Sequence, residues 1–294
     1  DLGAGTEISV DEFPGFDPAG LAASRQLYAL SGQGLVAVSS TDTSTVPGPM
    51  ASVSRTARWA AVDPNAGLAA VVSHDGSTIS VAALSATVEG SQVWFRDGTD
   101  LRRPSWDVHK VLWVVDDTAK GAKLYVTVGQ GSREVIAPGI TGKHVRSFAV
   151  SRDGVRLAAL VGRGSDTRLV ISVIERDPKK PGQVSLRPAH TVVSPEVSPA
   201  RMVSLAWMSP TSVAVLADDE AAQRQPFEFS IDGSTAQPLA GFLPIRPTTL
   251  AAEPNADAPV AIGDSAGSLY VNTPDAQWVK FGGSAKVYAP VYPG

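Results

Sequence analysis

The feature that most constrains this chain is a turn that recurs at a nearly fixed interval after a short apolar strand. Each copy of the turn opens on one polar residue, and the five openers are Asp63, Asp107, Ser151, Ser209 and Glu253. Successive openers lie 44, 44, 58 and 44 residues apart. The long interval contains the polar, Pro-rich segment 175–182, which predicts a loop insertion of 14 residues. Short strands repeating every ~40–50 residues are typical of the blades of a β-propeller.

A second apolar strand recurs with the same spacing as the turn. It begins 16 to 18 residues after each opener, at Ile79, Leu124, Leu169, Phe227 and Leu269. Leu27 starts a similar strand near the front, so this strand occurs six times and the turn only five. We therefore predict that the last residues, 287–294, supply the innermost strand of the first blade, while the N-terminal segment supplies its outer strands. Closing the ring in this way leaves no open sheet edge.

The fold predicted from these repeats is all-β: a β-propeller of six four-stranded blades, with five blades as the alternative. The propeller domain is expected to span residues 21–294. Residues 1–20 are expected to be a lead-in from an absent upstream domain, because they are poor in strand signals. The chain starts without Met and without a signal peptide, so we expect an upstream targeting segment to be missing.

Composition removes several classes of function. With no cysteine among 294 residues, disulfides, thiolate nucleophiles and Cys-based zinc sites are excluded. The formal net charge of −4 gives no overall basic field, so we expect no nucleic-acid partner. No apolar run is long enough to cross a membrane.

Linear motifs for catalysis or metal binding are weak. Residues 263–267 match the G-x-S-x-G pattern around Ser265, but they lie between two predicted strands and are interpreted as a hairpin turn. The four histidines lack zinc-site spacing, although His74 and His144 could face one end of the propeller. The acidic runs, Asp116–Asp117 and 218–220, are interpreted as solvated loops. We therefore expect no catalytic residue, no metal and no cofactor.

Four tryptophans fall on predicted strands and are interpreted as core between blades. They are Trp59, Trp106, Trp113 and Trp207. A stacking platform for sugar is the alternative interpretation.

Basic residues recur four to eight positions before each of the five turn openers, where the innermost strand starts, and Lys286 is the sixth if Tyr292 is the equivalent of an opener for the last strand. We call this set the basic collar, and its members are Arg58, Arg102, Arg103, Arg146, Arg201, Arg246 and Lys286. All innermost strands of a propeller start at the same end of the channel, so the collar is predicted to surround one mouth. Because an Arg fork holds a carboxylate or phosphate in two parallel hydrogen bonds, this mouth is predicted to bind an anionic partner. The alternative is that the side chains point between blades and pair with Asp or Glu.

Several segments resemble the LpqB family of actinobacterial lipoproteins. They are Leu101-Arg102-Arg103-Pro104-Ser105-Trp106-Asp107 with Val111–Asp116, then Gln26–Ser31, Val46–Pro49 and the closing Ala289–Gly294. The resemblance implies a lipid-anchored protein on the outer face of the cytoplasmic membrane, with a GerMN-type domain upstream of the propeller. It also implies a link to the MtrAB two-component system and its sensor kinase.

From the residues and the resemblance together, we expect a non-enzymatic, extracytoplasmic propeller that binds the extracytoplasmic region of an MtrAB-type sensor kinase and modulates it. Its membrane contact is expected only through a lipid anchor outside this chain. One alternative is an envelope module that binds a glycan or peptide. A further alternative is a hydrolase or lyase whose site is assembled from several blades.

Overall fold

A computed structural model of the chain describes residues 26–85, 90–177, 179–193, 201–219, 221–239, 243, 245–253, 259–272 and 277–294. The predicted lead-in, residues 1–20, lies outside them. The described part contains six antiparallel sheets, which we number as blades 1 to 6 in chain order. The innermost strands of successive blades contact one another all the way round the ring. The prediction of six blades is confirmed.

Blades 1 to 3 are built from the first half of the chain. Their strands are β1 (Leu27–Ser31), β2 (Gly34–Val38), β3 (Thr43–Thr45), β4 (Trp59–Val62), β5 (Leu68–Val72), β6 (Ile79–Ala83), β7 (Ser91–Phe95), β8 (Ser105–Trp106), β9 (Leu112–Thr118), β10 (Gly121–Val128) and β11 (Gly131–Val135). A one-turn helix, α1 (Pro49–Val53), connects blade 1 to blade 2.

Blades 4 to 6 are built from the second half. Their strands are β12 (Val145–Val150), β13 (Arg156–Val161), β14 (Arg168–Asp177), β15 (Lys180–Leu186), β16 (His190–Thr191), β17 (Arg201–Ser209), β18 (Ser212–Asp218), β19 (Arg224–Ser230), β20 (Ala236–Pro238), β21 (Thr249–Ala252), β22 (Val260–Gly263), β23 (Leu269–Asn272), β24 (Trp278–Phe281) and β25 (Val287–Val291). A short 3₁₀ helix, Gly164–Asp166, separates β13 from β14. None of the described helices is long and apolar enough to cross a membrane.

The ring closes through the two ends of the chain, as predicted. Strand β25 is the innermost strand of blade 1 and pairs with β1 in antiparallel register, Tyr28 opposite Val291. The last residues also reach blade 2, because the amide of Gly294 donates to the carbonyl of Val62. One detail of the prediction is wrong: Leu27 opens the second strand of its blade, whereas Ile79 and its equivalents lie in the third strand of theirs. The third strand of blade 1 is β2, whose Gly34 follows a tight turn.

The recurring turn is held by the side chain that opens it. Asp63 Oδ1 accepts hydrogen bonds of 2.7 Å from the amides of Gly67 and Leu68. Ser151 Oγ accepts one of 2.9 Å from the amide of Arg156. A short polar side chain is needed here because it satisfies backbone donors that the turn would otherwise leave unpaired. The period found in the sequence is thus the period of the link between the first and second strands of each blade.

Hydrophobic side chains fill the space between blades. The described residues form six buried clusters, one at each interface between successive blades. Trp106 and Trp113 are completely buried and Trp207 nearly so, as predicted for core residues. Trp59 differs, because it is only half-buried.

Two expectations about loops are wrong. Segment 175–182 is an extension of blade 4: Glu175, Arg176 and Asp177 continue β14 and pair with β15, although Pro178 lies outside the described residues. The extension forms because β14 has an unpaired edge beyond the blade, and β15 satisfies it.

The acidic pairs are also not solvated loops. Asp116 and Asp117 belong to β9 and Asp218 to β18, and all three make specific contacts; Glu220 lies outside the described residues. Asp116 Oδ1 accepts hydrogen bonds from the amides of Thr99 and Asp100. Asp218 forms a two-pronged ion pair with Arg224. These carboxylates are tolerated near the core because each of them is paired.

Candidate functional site: a basic cavity at one mouth of the channel

A cavity of about 760 Å³ opens where the innermost strands start. Blades 2 to 6 all contribute to its wall, through residues such as Trp59, Arg103, Arg146, Val203 and Thr249. This is a typical size for a pocket that holds a ligand or a peptide segment. The ring geometry brings these positions together although they lie up to 190 residues apart in the sequence.

The wall of the cavity is predominantly cationic. Its charged members are Arg102, Arg103, Arg146, Arg163, Arg224, Asp100 and Asp117. Five arginines face two aspartates, which leaves a formal excess of three positive charges, or two once Asp218, the partner of Arg224, is included. A chain of net charge −4 therefore concentrates positive charge at this mouth.

Arg103 lies at the bottom of the cavity and also borders a smaller cavity of about 80 Å³ within the channel. Its guanidinium crosses from blade 3 to blade 6, where Nη1 donates to the carbonyl of Leu250 at 3.1 Å. The same group lies 5.4 Å from the ring centroid of Trp59, a cation–π contact. Part of the side chain faces the cavity, but Nη2 is shielded from solvent and has no hydrogen-bond partner among the described residues. Burial lowers the pKa of Arg103 to about 10, which still leaves it charged at neutral pH.

Arg146, in the innermost strand of blade 4, is half-buried, and its side chain makes no hydrogen bond or ion pair with any described residue. Burial lowers its pKa, and the nearby cations Arg201, Arg224 and Arg102 lower it further, while Asp218 acts in the opposite direction. Repulsion by three arginines marks the space around Arg146 as short of negative charge.

Other members of the basic collar are already paired. Arg102 bonds Asp117 at 2.5 Å and Asp100 at 3.1 Å, and Arg58 bonds Asp100 at 2.7 Å. For these two arginines the alternative of pairing with Asp is the one realised. Asp117 also lies 3.2 Å from Nδ1 of His144.

The remaining members, Arg201, Arg246 and Lys286, are exposed and have no ion pair with any residue that the structure describes. They belong to blades 5, 6 and 1 and lie outside the wall of the cavity. The collar thus has three environments: paired residues, two unpaired arginines inside the cavity, and exposed cations beyond it. That it binds a partner stays a prediction.

Sequence reasoning missed Arg163 and Arg224, which line the cavity from the link after β13 and from the start of β19. They precede or open the third strand of their blades, a position that a search before the turn openers does not cover. Trp59 was assigned to the core, and its half-buried position at the start of β4 carries no signal in the sequence.

The G-x-S-x-G match is a hairpin turn, as interpreted. Ser265 is exposed between β22 and β23, and Asp264 Oδ1 accepts hydrogen bonds from the amides of Ala266 and Ser268. Gly267, at φ +89°, has the backbone conformation that the turn requires. A nucleophile elbow would instead connect a strand to a helix.

The two histidines considered together are not partners. His74 is exposed on the hairpin turn after β5, and the contacts of His144 are Asp117 and Nη2 of Arg163 at 3.3 Å. Within the described ranges, no group of three or more His, Cys, Asp or Glu could hold a metal ion.

The fold and the cavity define the class of protein: a six-bladed β-propeller with a charged pocket at one channel mouth. Solved structures agree with this fold. The nidogen/laminin complex contains a chain similar over 90% of this one and 97% of its own length, with a TM-score of 0.63 and 9% identity. TolB from Acinetobacter baumannii matches 90% of this chain and 66% of its own, with a TM-score of 0.59 and 13% identity.

The sequence comparisons are more specific. The family model of the lipoprotein LpqB β-propeller domain matches residues 33–293. Lipoprotein LpqB of Streptomyces avermitilis is 32% identical over 86% of this chain and 42% of its own length. The homologue from Streptomyces coelicolor is 30% identical over 85% and 41%. The chain therefore belongs to the LpqB family, and it spans about two-fifths of the length of these relatives.

Proposed function

We propose that this propeller is a non-enzymatic protein-binding domain of a membrane-anchored envelope lipoprotein, and that it modulates the sensor kinase of an MtrAB-type two-component system. The relatives are named lipoproteins, which supports an anchored envelope protein, and the family resemblance suggests the kinase. In the full-length protein a GerMN-type domain would lie upstream and a lipid would hold both domains at the outer face of the cytoplasmic membrane.

One observation carries the binding role. All six blades place a basic residue where the innermost strand starts, and Arg201, Arg246 and Lys286 are exposed there without an ion pair among the described residues. Exposed like charges gathered at one mouth do not stabilise a fold, because they repel one another. They do attract and orient an acidic partner surface.

The test is direct binding of the purified chain to the soluble extracytoplasmic region of the cognate MtrB-type kinase at low and high salt. We expect saturable binding that weakens several-fold at high salt, because interactions between exposed charges are screened. The double variant Arg201→Gln with Arg246→Gln should bind about fivefold more weakly, since each exposed pair contributes ~0.5 kcal/mol.

The matched control is Lys179→Gln with Lys180→Gln. It also removes two positive charges, but from exposed residues where β14 and β15 meet. This end of blade 4 is opposite the mouth at which its innermost strand starts. The control variant should bind the kinase as the unaltered chain does. A correctly folded chain that does not bind, or equal loss in both double variants, would contradict the proposal.

A second candidate, an envelope module that binds a glycan or peptide, is favoured by the cavity itself. A flat charged face is enough to dock a folded partner, whereas a pocket of about 760 Å³ accepts an inserted group. The two functions are compatible if the partner inserts an extended segment.

A further inference from the structure

Two of the five arginines in the cavity wall, Arg103 and Arg146, are partly withdrawn from solvent and have no carboxylate partner among the described residues. Nη2 of Arg103 is shielded from solvent without an acceptor, and the side chain of Arg146 has no hydrogen bond or ion pair within the described part of the chain. Desolvating a cation without a counter-charge costs free energy, and that cost is recovered when an anion binds next to it. Asp100 and Asp117 do not meet this need, because they pair with Arg58 and Arg102.

The type of anion follows from the rest of the wall. Asp100 and Asp117 already balance Arg58 and Arg102, so a ligand has only to supply acceptors for Arg103 and Arg146, and a planar carboxylate matches the fork of an arginine. Trp59, Phe148 and Val203 add apolar surface, which suits the methylene groups of a side chain.

The size of the ligand follows from the cations outside the cavity. Arg201, Arg246 and Lys286 extend the positive surface beyond the wall on blades 5, 6 and 1. A small carboxylate held by Arg146 would leave them unused, whereas a segment carrying several acidic residues would reach them.

We propose that the cavity is the binding site for an acidic peptide segment, with one Asp or Glu carboxylate held beside Arg146 and Arg103 and flanking acidic residues on the exposed cations. This inference rests on the proposed function, because it names the chemistry of the segment that a protein partner inserts. Arg146 supplies the fork that hydrogen-bonds the carboxylate. Arg103, fixed by Leu250 and Trp59, supplies a second charge at the bottom of the cavity.

The experiment is calorimetric titration of the 294-residue chain with a synthetic peptide of alternating Glu and Ser, blocked at both ends. The same peptide with Gln in place of Glu is the ligand control. We expect the Glu peptide to bind and the Gln peptide not to bind. A third peptide, the Gln peptide with a free C-terminal carboxylate, tests whether the cavity recognises a chain terminus and not a side chain. Tighter binding of this peptide than of the Glu peptide would overturn the proposal.

Arg146→Gln should weaken binding of the Glu peptide about tenfold, the loss of one charge-assisted hydrogen-bonded contact. Its melting temperature should be equal to or above that of the unaltered chain, because the change removes a cation repelled by its neighbours. Arg146→Lys, which keeps the charge and loses the fork, should bind with intermediate affinity. Arg96→Gln, at an exposed arginine outside the cavity wall, is the matched control and should bind normally.

Three further results would overturn the inference: equal binding of the Glu and Gln peptides, an Arg146→Gln affinity equal to that of Arg96→Gln, or tighter binding of inorganic phosphate than of the Glu peptide. Its failure is distinguishable from failure of the proposed function. If the chain binds the kinase but not the Glu peptide, the proposed kinase partner stands and the proposed peptide site in the cavity is wrong. If the chain binds the Glu peptide, Arg146→Gln loses that binding, and the chain does not bind the kinase, the peptide site stands and the kinase is not the partner.

Discussion

Asp107 shows what a single side chain does in this propeller. It opens the turn of blade 3 and is completely buried. One carboxylate oxygen accepts from the amides of His109 and Val111, while the other accepts from Trp113 Nε1 at 2.8 Å and Arg176 Nη2 at 2.6 Å. The last residue of the Arg-Pro-Ser-Trp-Asp motif thus connects a turn, a core tryptophan and the extension of blade 4.

We predict that Asp107→Asn lowers the free energy of unfolding by about 3–5 kcal/mol, the cost of breaking a buried ion pair from one side. The amide nitrogen would face two donors, Trp113 Nε1 and Arg176 Nη2. Urea unfolding followed by tryptophan fluorescence measures the change. Glu134→Gln is the control: its carboxylate is exposed and 4.0 Å from Lys123, so the loss should stay below about 0.5 kcal/mol. A loss of less than 1 kcal/mol for Asp107→Asn would contradict this account.

His109 makes stability depend on pH. Burial lowers its pKa below 6.5, Arg176 lowers it further, and Asp107 acts in the opposite direction. As the pH falls through about 6.5, the unfolded chain therefore binds a proton that the folded chain does not, and the free energy of unfolding decreases. The decrease ends once the pH is below the folded pKa.

We expect His109→Gln to lose less stability than the unaltered chain between pH 8 and pH 5, in unfolding measured at each pH. His74→Gln, at an exposed turn, is the control and should follow the unaltered profile. If all three profiles were parallel, His109 would not be a source of the pH dependence.

At the scale of the element, the sequence predicted what depends on local chemistry. Turn openers and apolar strands repeat because each blade needs them, so blade number and ring closure could be found from spacing. The position of Leu27 in its blade could not, because second and third strands carry the same apolar pattern. The strand extension of blade 4 was hidden because the polar, Pro-rich sequence of segment 175–182 resembles an irregular loop.

The pairing of β25 with β1 makes a specific prediction possible, because the natural chain has no cysteine. Tyr28 and Val291 are directly opposite in antiparallel register and both are buried, a spacing that a disulfide can bridge. In the double variant Tyr28→Cys with Val291→Cys, oxidation should stabilise the chain by several kcal/mol relative to its reduced form, since it closes a very long loop.

The measurement compares melting temperatures of the oxidised and reduced forms of the same double variant, so the cost of the two core substitutions cancels. The unaltered chain should show no dependence on redox state. An oxidised form with no gain in melting temperature would show that opening of this blade does not limit the stability of the ring.

At the scale of the whole molecule, charge is distributed in a way that bulk numbers conceal. The net charge of −4 excluded an overall basic field, and the basic collar was found only by aligning the blades. Its sequence positions were predictable because every innermost strand starts at the same mouth. Which members are paired was not, since the partners Asp100 and Asp117 come from links and strands whose approach depends on the folded ring.

The closing strand also sets an order of events during synthesis. Blade 1 lacks its innermost strand until residues 287–291, which follow the other five blades in the sequence, have been made. Until then the edge of β1 stays open, and a chain cut short before Val287 keeps that edge exposed for proteases and chaperones. Closure of the ring therefore records that synthesis has passed β25, and shorter products remain distinguishable from closed propellers.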